Sequence, residues 1–383
     1  MSRMRSLLQE FFKKGDMLLL GLCLAASAFG LVLIYSATRW DNDNRSFIVQ
    51  CVAIAIGVAA YFILTFVDIE LVTEKGWKWM LLFNAVLMLS LLTPYGVGKE
   101  TTGNNSWLAL PFLPFNIQPS EVAKIFFVLV MAWQCSRLQE RGISRPYAVM
   151  ELAGHTLLMC GLIAGVSGDF GSALVYLFLF VIIAWSAGVG KRWFFLGILL
   201  AGALFYVVWP HLPDYIRMRI LVVFDHSLDP QGKGFHQTRS ILAIGSGQLA
   251  GQGYLQGTQT QASYSSALPM RHTDFIFSVC GEEFGLIGCA LLLLLLTAII
   301  LRCFWVGRNT HSPMAAHAAI GYGGMLMLQT IFNVGMCLYI LPVVGLTLPF
   351  ISCGGSSIIT LYAAMGVVSG IKMRSLPRWL RDH

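Results

Sequence analysis

The chain alternates between long apolar runs and short polar segments. Runs of about 20 apolar residues are long enough to cross a bilayer as helices, and lipid leaves few other ways to satisfy the backbone. The strand alternation typical of outer-membrane barrels is absent from the sequence. The pattern predicts ten membrane-spanning helices, near residues 17–37, 46–67, 79–96, 119–136, 152–168, 172–190, 193–210, 275–301, 314–340 and 356–371.

The composition supports this interpretation. Hydrophobic residues make up 56% of the 383 residues and charged residues only 12%, whereas soluble proteins carry about 25% charged residues. So few charges could not cover a water-exposed surface, which excludes a soluble enzyme, a nucleic-acid-binding protein and a disordered chain. We expect an all-α polytopic membrane protein with a single transmembrane domain over residues 1–383 and one long outer loop at about 211–273.

Lysine and arginine indicate the orientation. With both termini in the cytoplasm, the inner segments hold about twice as many of these residues as the outer ones, as the positive-inside rule requires. The net charge of +7 then reflects topology and not a nucleic-acid partner. The nine cysteines are scattered without a CxxC pair, which favours packing over disulfide or metal chemistry. No cleavable signal peptide is apparent.

Charged side chains within the spans or at their outer edges are the first functional candidates, because they are costly in lipid. Each also has a structural interpretation. Glu121 and Lys124 can pair at i,i+3 spacing. Asp169 and Asp274 lie where helices are expected to begin, and Asp is an ordinary N-cap residue. In the Glu282–Glu283 pair, one carboxylate is expected to face the interior with a hydrogen-bond partner.

Together these residues would suit glycosyl transfer from a lipid-linked pyrophosphate sugar. An outward-facing carboxylate at a helix start can act as a general base for a hydroxyl, and nearby Arg and Lys can hold pyrophosphate. The long outer loop supports a functional role, since compact proteins rarely keep such a loop without one. Residue chemistry alone leaves transport equally favoured.

Several motifs resemble a known family. The sequence is similar to the SEDS proteins of shape, elongation, division and sporulation, the RodA/FtsW group. The motifs follow the family order along nearly the whole chain: Asn116–Glu121 with Lys124, Asp169–Leu174, Ala243–Gly253, Leu268–Pro269, His272–Phe277, Gly281–Gly285, Asn333–Met336, Leu341–Gly345 and Leu348–Ser357. The segment Gly257–Gln261 resembles the RodA branch more than FtsW.

The resemblance implies a peptidoglycan glycosyltransferase that polymerises lipid II on the outer face of the bacterial cytoplasmic membrane, for cell-wall elongation and cell shape. It implies a class B penicillin-binding protein as partner. Asp274 matches the family's essential acid and is the expected catalytic base. The residues expected to bind substrate are Glu121, Lys124, Asp169, Arg239, Arg271 and His272. No ligand spacing indicates a metal site, although a divalent cation, Mg²⁺ or Mn²⁺, could bridge the pyrophosphate.

Some positions depart from the family pattern. Asn105 and Ser106 precede Trp107 where the family often has arginine, and Met270 replaces the usual glutamate. Arg239 and Arg271 therefore gain importance as candidate pyrophosphate ligands. Three alternatives stay open at this point: a lipid II flippase without chemistry, a regulatory scaffold that recruits the crosslinking partner, and a division or sporulation paralogue of the FtsW type.

Overall fold

The computed structural model describes residues 9–39, 44–98, 104–111, 115–211, 214–225, 234–262 and 268–375. Twelve long or medium helices run through this part of the chain: α1 Met17–Arg39, α2 Asn44–Phe66, α3 Ile69–Leu89, α4 Pro119–Gln139, α5 Pro146–Leu162, α6 Phe170–Ser186, α7 Lys191–Val208, α8 Asp214–Phe224, α9 Phe235–Gly247, α10 Ile276–Arg308, α11 Pro313–Cys337 and α12 Gly355–Ser375. A π-helical turn, Ile163–Ser167, extends α5.

Each of the ten predicted spans corresponds to a helix, which confirms an all-helical polytopic membrane fold. Within the described residues, six helices are long and apolar enough to cross a bilayer: α1, α2, α5 with its π turn, α7 with the following turn, α10 and α12. The apolar helix α6 is shorter. Helices α3, α4 and α11 have spanning length but are less apolar, because they carry charged residues or many Gly, Ala and amide positions.

The structure differs from the sequence prediction most clearly at α3 and inside the long loop. Helix α3 was expected near 79–96 but begins at Ile69, because Asp68 caps it by accepting hydrogen bonds from the amides of Glu70 and Leu71 at 3.2 Å. It ends at Leu89. The long loop 211–273 is not simply a loop, since it contains α8 and α9.

The segment after α3 forms a small β-hairpin. Strands β1 (Gly96–Val97) and β2 (Trp107–Leu108) pair antiparallel, and Leu108 bridges to Ile117 shortly before α4. The Asn105 amide group donates to the Leu91 carbonyl at 2.7 Å. This hairpin holds the approach to α4 against the ends of α3 and α5.

Helix α12 lies at the centre of the bundle. Most of its residues are buried, and its most extensive contacts are with α2. There the backbones approach closely, since a Cβ at Gly366 would lie 2.6 Å from the carbonyl oxygen of Tyr61. Helix α10 packs against α11, α9 and α1. Helix α7, in contrast, buries none of its residues and lies at the periphery.

A buried charge cluster joins the helices at the end of the bundle opposite the hairpin. Asp16 is fully buried and accepts two hydrogen bonds from Arg302 of α10, at 2.9 and 3.0 Å. Lys372 of α12 lies 3.4 Å from the same carboxylate, and the Tyr61 hydroxyl donates to the Asp16 carbonyl at 2.8 Å. The Asp16 carboxylate therefore connects the start of α1 to α10 and α12, and its backbone carbonyl connects the same point to α2.

Removing this carboxylate should destabilise the bundle. Asp16→Ala leaves Arg302 and Lys372 without their shared anion, and breaking a buried ion pair typically costs about 3–5 kcal/mol. We expect a clearly lower midpoint of thermal unfolding in detergent. The control is Glu10→Ala, which removes a partly exposed i,i+4 pair with Lys14 that should be worth less than about 1 kcal/mol. Equal midpoints for the two variants would contradict a central role for Asp16.

Candidate functional site

Asp274 lies in a turn directly before α10, and its backbone is held by other elements. The backbone carbonyls of three successive residues are each paired. The Cys353 amide donates to His272 at 2.9 Å, the Ser352 hydroxyl to Thr273 at 2.7 Å, and the Asn333 side-chain amide to Asp274 at 2.8 Å. The turn before α10 is thus fixed by α11 and by the loop before α12.

The Asp274 carboxylate, unlike the Asp274 backbone carbonyl, has no hydrogen-bond partner among the described residues. It is half-buried, and no described residue donates a hydrogen bond or forms an ion pair with it. Gly345, in the left-handed region with φ 70°, lies close to the carboxylate: a Cβ there would lie 3.8 Å from Oδ2. Burial first, and the negative charge of Asp169 second, raise the pKa of Asp274 from its ordinary 3.8 to about 6. Phe275 is the N-cap residue of α10 and makes no side-chain capping bond, so Asp274 does not serve as that cap.

Asp169 is the N-cap of α6. Its carboxylate accepts from the Ser172 amide at 2.9 Å and from the Ser172 hydroxyl at 2.7 Å. Gln118, the residue before α4, donates its side-chain amide at 3.3 Å to Oδ2, the oxygen that also accepts from the Ser172 hydroxyl. The structural interpretation of Asp169 therefore holds, and it places the start of α6 beside the start of α4.

Glu121 and Lys124 form the ion pair expected from their spacing. The Lys124 ammonium lies 2.6 Å from Glu121 Oε1, and both side chains are almost completely buried. Ser357 of α12 approaches Glu121 Oε2 at 3.5 Å. Ser356, its neighbour, accepts from the Gln118 backbone amide at 3.2 Å. The starts of α4 and α12 are thus in direct contact around this pair.

A short segment links Asp274 to the start of α6. Val344 and Gly345 lie between α6 and Asp274, because a Cβ at Gly171 would lie 2.3 Å from the Val344 carbonyl oxygen while Gly345 faces Asp274. The structure therefore gathers Asp274, Asp169, Glu121 and Lys124 at one end of the bundle, where α4, α6, α10 and α12 begin.

The three remaining candidates are farther from this arrangement or already engaged. Arg271 is buried and donates to the Thr260 carbonyl at 2.6 Å. Arg239 on α9 lies over the Phe235 ring and reaches the Gln259 side chain at 3.5 Å. His272 supplies the carbonyl described above. These contacts hold Arg271 within the long loop, and its binding of substrate stays a prediction, as it does for Arg239 and His272.

Glu282 anchors the loop at residues 258–260 to α10. Its carboxylate accepts from the backbone amides of Gln259 and Thr260 at 2.6 and 2.8 Å, and from the hydroxyls of Thr258 and Thr260 at 3.1 and 2.6 Å. Glu283 accepts from Ser36 of α1 at 2.5 Å. Both carboxylates are buried, and the geometry agrees with the structural interpretation.

Glycine allows the same loop to lie directly on α10. A Cβ at Gly251, which has φ 84°, would lie 2.1 Å from the Glu283 carbonyl oxygen. The helix itself is interrupted at Gly285, with φ 65°, and the amides of Leu286 and Ile287 donate to Gln248 and Leu249. Loop and helix therefore exchange backbone hydrogen bonds.

Sequence reasoning named no role for Asn333 or Ser352, which hold the turn. Both were visible as polar residues in an apolar stretch, but which backbone group they bind depends on tertiary contacts. For metals, the described residues contain no group of three or more His, Cys, Asp or Glu side chains placed to hold an ion. The divalent cation that could bridge the pyrophosphate stays a hypothesis.

Fold and site together define a polytopic membrane protein with a cluster of acids and one amine at the common end of four helices. The FTSW_RODA_SPOVE family, described as cell cycle protein, matches residues 16–376. The chain belongs to this family.

Curated relatives and solved structures agree. The peptidoglycan glycosyltransferase MrdB of Escherichia coli K12 is 32% identical over 358 residues, covering 93% of each chain. A probable peptidoglycan glycosyltransferase FtsW of Geobacter metallireducens is 32% identical over 367 residues, covering 94% of this chain and 95% of its own. The Thermus thermophilus rod shape determining protein RodA is 28% identical with a TM-score of 0.66, covering 94% and 96%.

A further solved chain comes from work on "structural coordination of polymerization and crosslinking by a peptidoglycan synthase complex". It is 31% identical, with a TM-score of 0.77, and the match covers 94% of this chain and 98% of that one. The family, the fold class and the enzyme class predicted from the sequence are thereby confirmed.

Loss of the Glu282 carboxylate should free the loop at residues 258–260. In Glu282→Ala, four hydrogen bonds to residues 258–260 disappear, so their backbone amides should exchange with deuterium at least about tenfold faster, because local opening then costs less free energy. Hydrogen-exchange mass spectrometry measures this directly. Glu140→Ala, at an exposed carboxylate beyond α4, is the control. Unchanged exchange over 258–260 would show that Glu282 does not anchor the loop.

Proposed function

We propose that this protein polymerises lipid II into glycan strands on the outer face of the cytoplasmic membrane, for cell-wall elongation and cell shape. The names of its relatives support the reaction class, and relatives of both the MrdB and FtsW kinds match at 32% identity. The assignment to elongation rests on the resemblance of Gly257–Gln261 to the RodA branch.

The observation that carries the proposal is the unengaged carboxylate of Asp274. Every other acid of the site has hydrogen-bonding or ion-pair partners, whereas no described residue pairs with this one. A general base must be free to accept a proton and needs a pKa near the working pH. A carboxyl group with a pKa of about 6 is mostly ionised at neutral pH and is a stronger base than an ordinary aspartate.

The reaction then runs as a single displacement. Asp274 accepts the proton of the acceptor sugar hydroxyl as its oxygen forms a bond to the anomeric carbon of the lipid-linked chain. The bond between that carbon and the pyrophosphate oxygen breaks, and undecaprenyl pyrophosphate leaves with the electron pair. Attack from the face opposite the leaving group inverts the anomeric carbon.

The leaving group needs positive potential. Lys124 lies in the second turn of α4, and the N-termini of α4, α6 and α12 meet around its ion pair with Glu121. Helix N-termini attract anions through their free amides and dipoles. We assign Lys124 and these helix starts to the pyrophosphate. Glu121 orients Lys124 through their 2.6 Å contact.

The proposal includes a partner and an orientation. The structural neighbour from a peptidoglycan synthase complex supports joint action with a class B penicillin-binding protein, which crosslinks the strands. With both termini cytoplasmic, the common start of α4, α6, α10 and α12 faces outward, where the acceptor strand lies.

Replacing Asp274 should abolish polymerisation. We expect purified protein with its penicillin-binding partner to convert lipid II into glycan strands, and Asp274→Asn and Asp274→Ala to lose at least about 10²-fold in rate, since general-base catalysis typically contributes 10²–10⁴-fold. Gel analysis of labelled strands measures the rate.

The control for this assay is Asp68→Asn, which alters an exposed N-cap of α3 at the inner end and should leave the rate unchanged. Thermal unfolding checks that each variant is folded. Wild-type activity in Asp274→Asn would refute the assignment of the base. A wild-type complex that makes no strands, yet moves lipid II across vesicles, would favour the flippase.

The rate should depend on pH through Asp274. Because its pKa is raised to about 6, the base is protonated and inactive below this pH, so the rate should rise through pH 6 and level off above it. The fold favours the protonated form of Asp274. As the pH rises from 3.8 to about 6, the contribution of this group to the free energy of unfolding therefore falls. Asp274→Asn should therefore be no less stable than wild type at pH 7. A flat rate between pH 5 and 7 would contradict the proposal.

A further inference from the structure

Asp274 has no helix of its own to fix it. It lies between Met270, a non-glycine residue with φ 48°, and the start of α10. A carboxylate in such a turn could point in many directions unless other elements hold the backbone. A displacement of about 1 Å at a reacting group can cost roughly 10²-fold in rate. The groups that hold this turn can therefore affect the rate through the position of Asp274.

Asn333 is fully buried in α11 and uses both hydrogens of its side-chain amide. One is donated to the Asp274 carbonyl and the other to the Leu346 carbonyl, each at 2.8 Å. Leu346 follows Gly345, whose Cα faces the Asp274 carboxylate. A single amide group thus sets the distance between the turn and the segment opposite its carboxylate.

Ser352 holds the neighbouring residue in the same way. Its hydroxyl donates to the Thr273 carbonyl at 2.7 Å and accepts from the Leu348 amide at 2.8 Å. It is buried and belongs to the loop between α11 and α12. The turn and the loop 345–352 are therefore joined at two adjacent carbonyls by two side chains that touch no charged group.

We propose that Asn333 and Ser352 are positioning residues for the base. They fix the backbone of residues 273–274 so that the Asp274 carboxylate faces Gly345 and is kept from relaxing into water. The inference rests on the proposed function, since it concerns the same base. It assigns to these two residues a role in catalysis through Asp274, without contact with substrate.

The surroundings of Asp274 determine which measurement detects this role. The titratable or charged groups near the turn are Asp169 at the start of α6, Cys337 on α11, His236 on α9, and the adjacent Arg271 and His272. Neither Asn333 nor Ser352 carries a charge. Their loss can change the pKa of Asp274 only by moving it relative to these groups and to water.

The experiment compares Asn333→Leu and Ser352→Ala with Gln329→Met. Gln329 lies one turn earlier on α11, is equally buried, and its amide makes no hydrogen bond with any described residue. It therefore controls for removing a buried amide from this helix. Ser352→Thr keeps the hydroxyl and serves as the rescue variant. Lipid II polymerisation is measured with the partner as a function of lipid II concentration and of pH.

We expect kcat to fall by about 10²-fold in Asn333→Leu and about tenfold in Ser352→Ala, with KM changed by less than about threefold. The pH midpoint should move from about 6 towards the ordinary 3.8, because the displaced carboxylate gains water. Ser352→Thr and Gln329→Met should retain the wild-type midpoint. A merely structural role would lower the folded fraction without moving the pH midpoint.

Two results distinguish a failure of the positioning proposal from a failure of the proposed base. If wild type is active and Asp274→Asn is not, but Asn333→Leu and Ser352→Ala keep the wild-type midpoint and kcat per folded molecule, the positioning proposal is wrong and the proposed function stands. If Asp274→Asn is as active as wild type, the base itself is wrong. Should Asn333→Leu fail to fold, Ser352→Ala against Ser352→Thr decides the question.

Discussion

Unpaired backbone carbonyls are costly where water is scarce, and the turn before α10 presents three of them in a row. A regular helix would pair these carbonyls internally, but it would also bury the Asp274 carboxylate. The chain instead pairs them with Asn333, Ser352 and the amide of Cys353. This arrangement allows an irregular backbone at the end of a membrane bundle, and with it an acid whose side chain stays unengaged.

Glu282 of α10 and Asp274 of the preceding turn both carry a carboxylate, but the two carboxylates differ in their hydrogen-bond partners. Glu282 accepts four hydrogen bonds and holds the loop 258–260, whereas Asp274 lies only eight residues earlier and accepts none from the described residues. A fully bonded carboxylate is a poor proton acceptor because protonation would disrupt its bonds. The contrast distinguishes the acid that supports structure from the acid available for chemistry.

Hydropathy was sufficient to predict the spans, because crossing lipid imposes a length and a composition on each helix. It failed for α3, where Asp68 begins the helix inside a charged stretch that the pattern assigned to a loop. The Glu121–Lys124 pair followed from spacing, since partners on one helix are a local property. The contacts of Asn333, Ser352 and Arg271 could not be predicted, because each joins segments that only the tertiary fold brings together.

The charge balance of the site bears on how pyrophosphate is held. Asp274, Asp169 and Glu121 oppose a single amine, Lys124, which Glu121 already neutralises. The helix N-termini of α4, α6 and α12 each supply roughly half a positive charge at most, and Arg271 is occupied by the Thr260 carbonyl. The described side chains therefore do not by themselves match a pyrophosphate dianion. A loop rearrangement that releases Arg271 from the Thr260 carbonyl would add a positive charge close to Asp274 in the sequence.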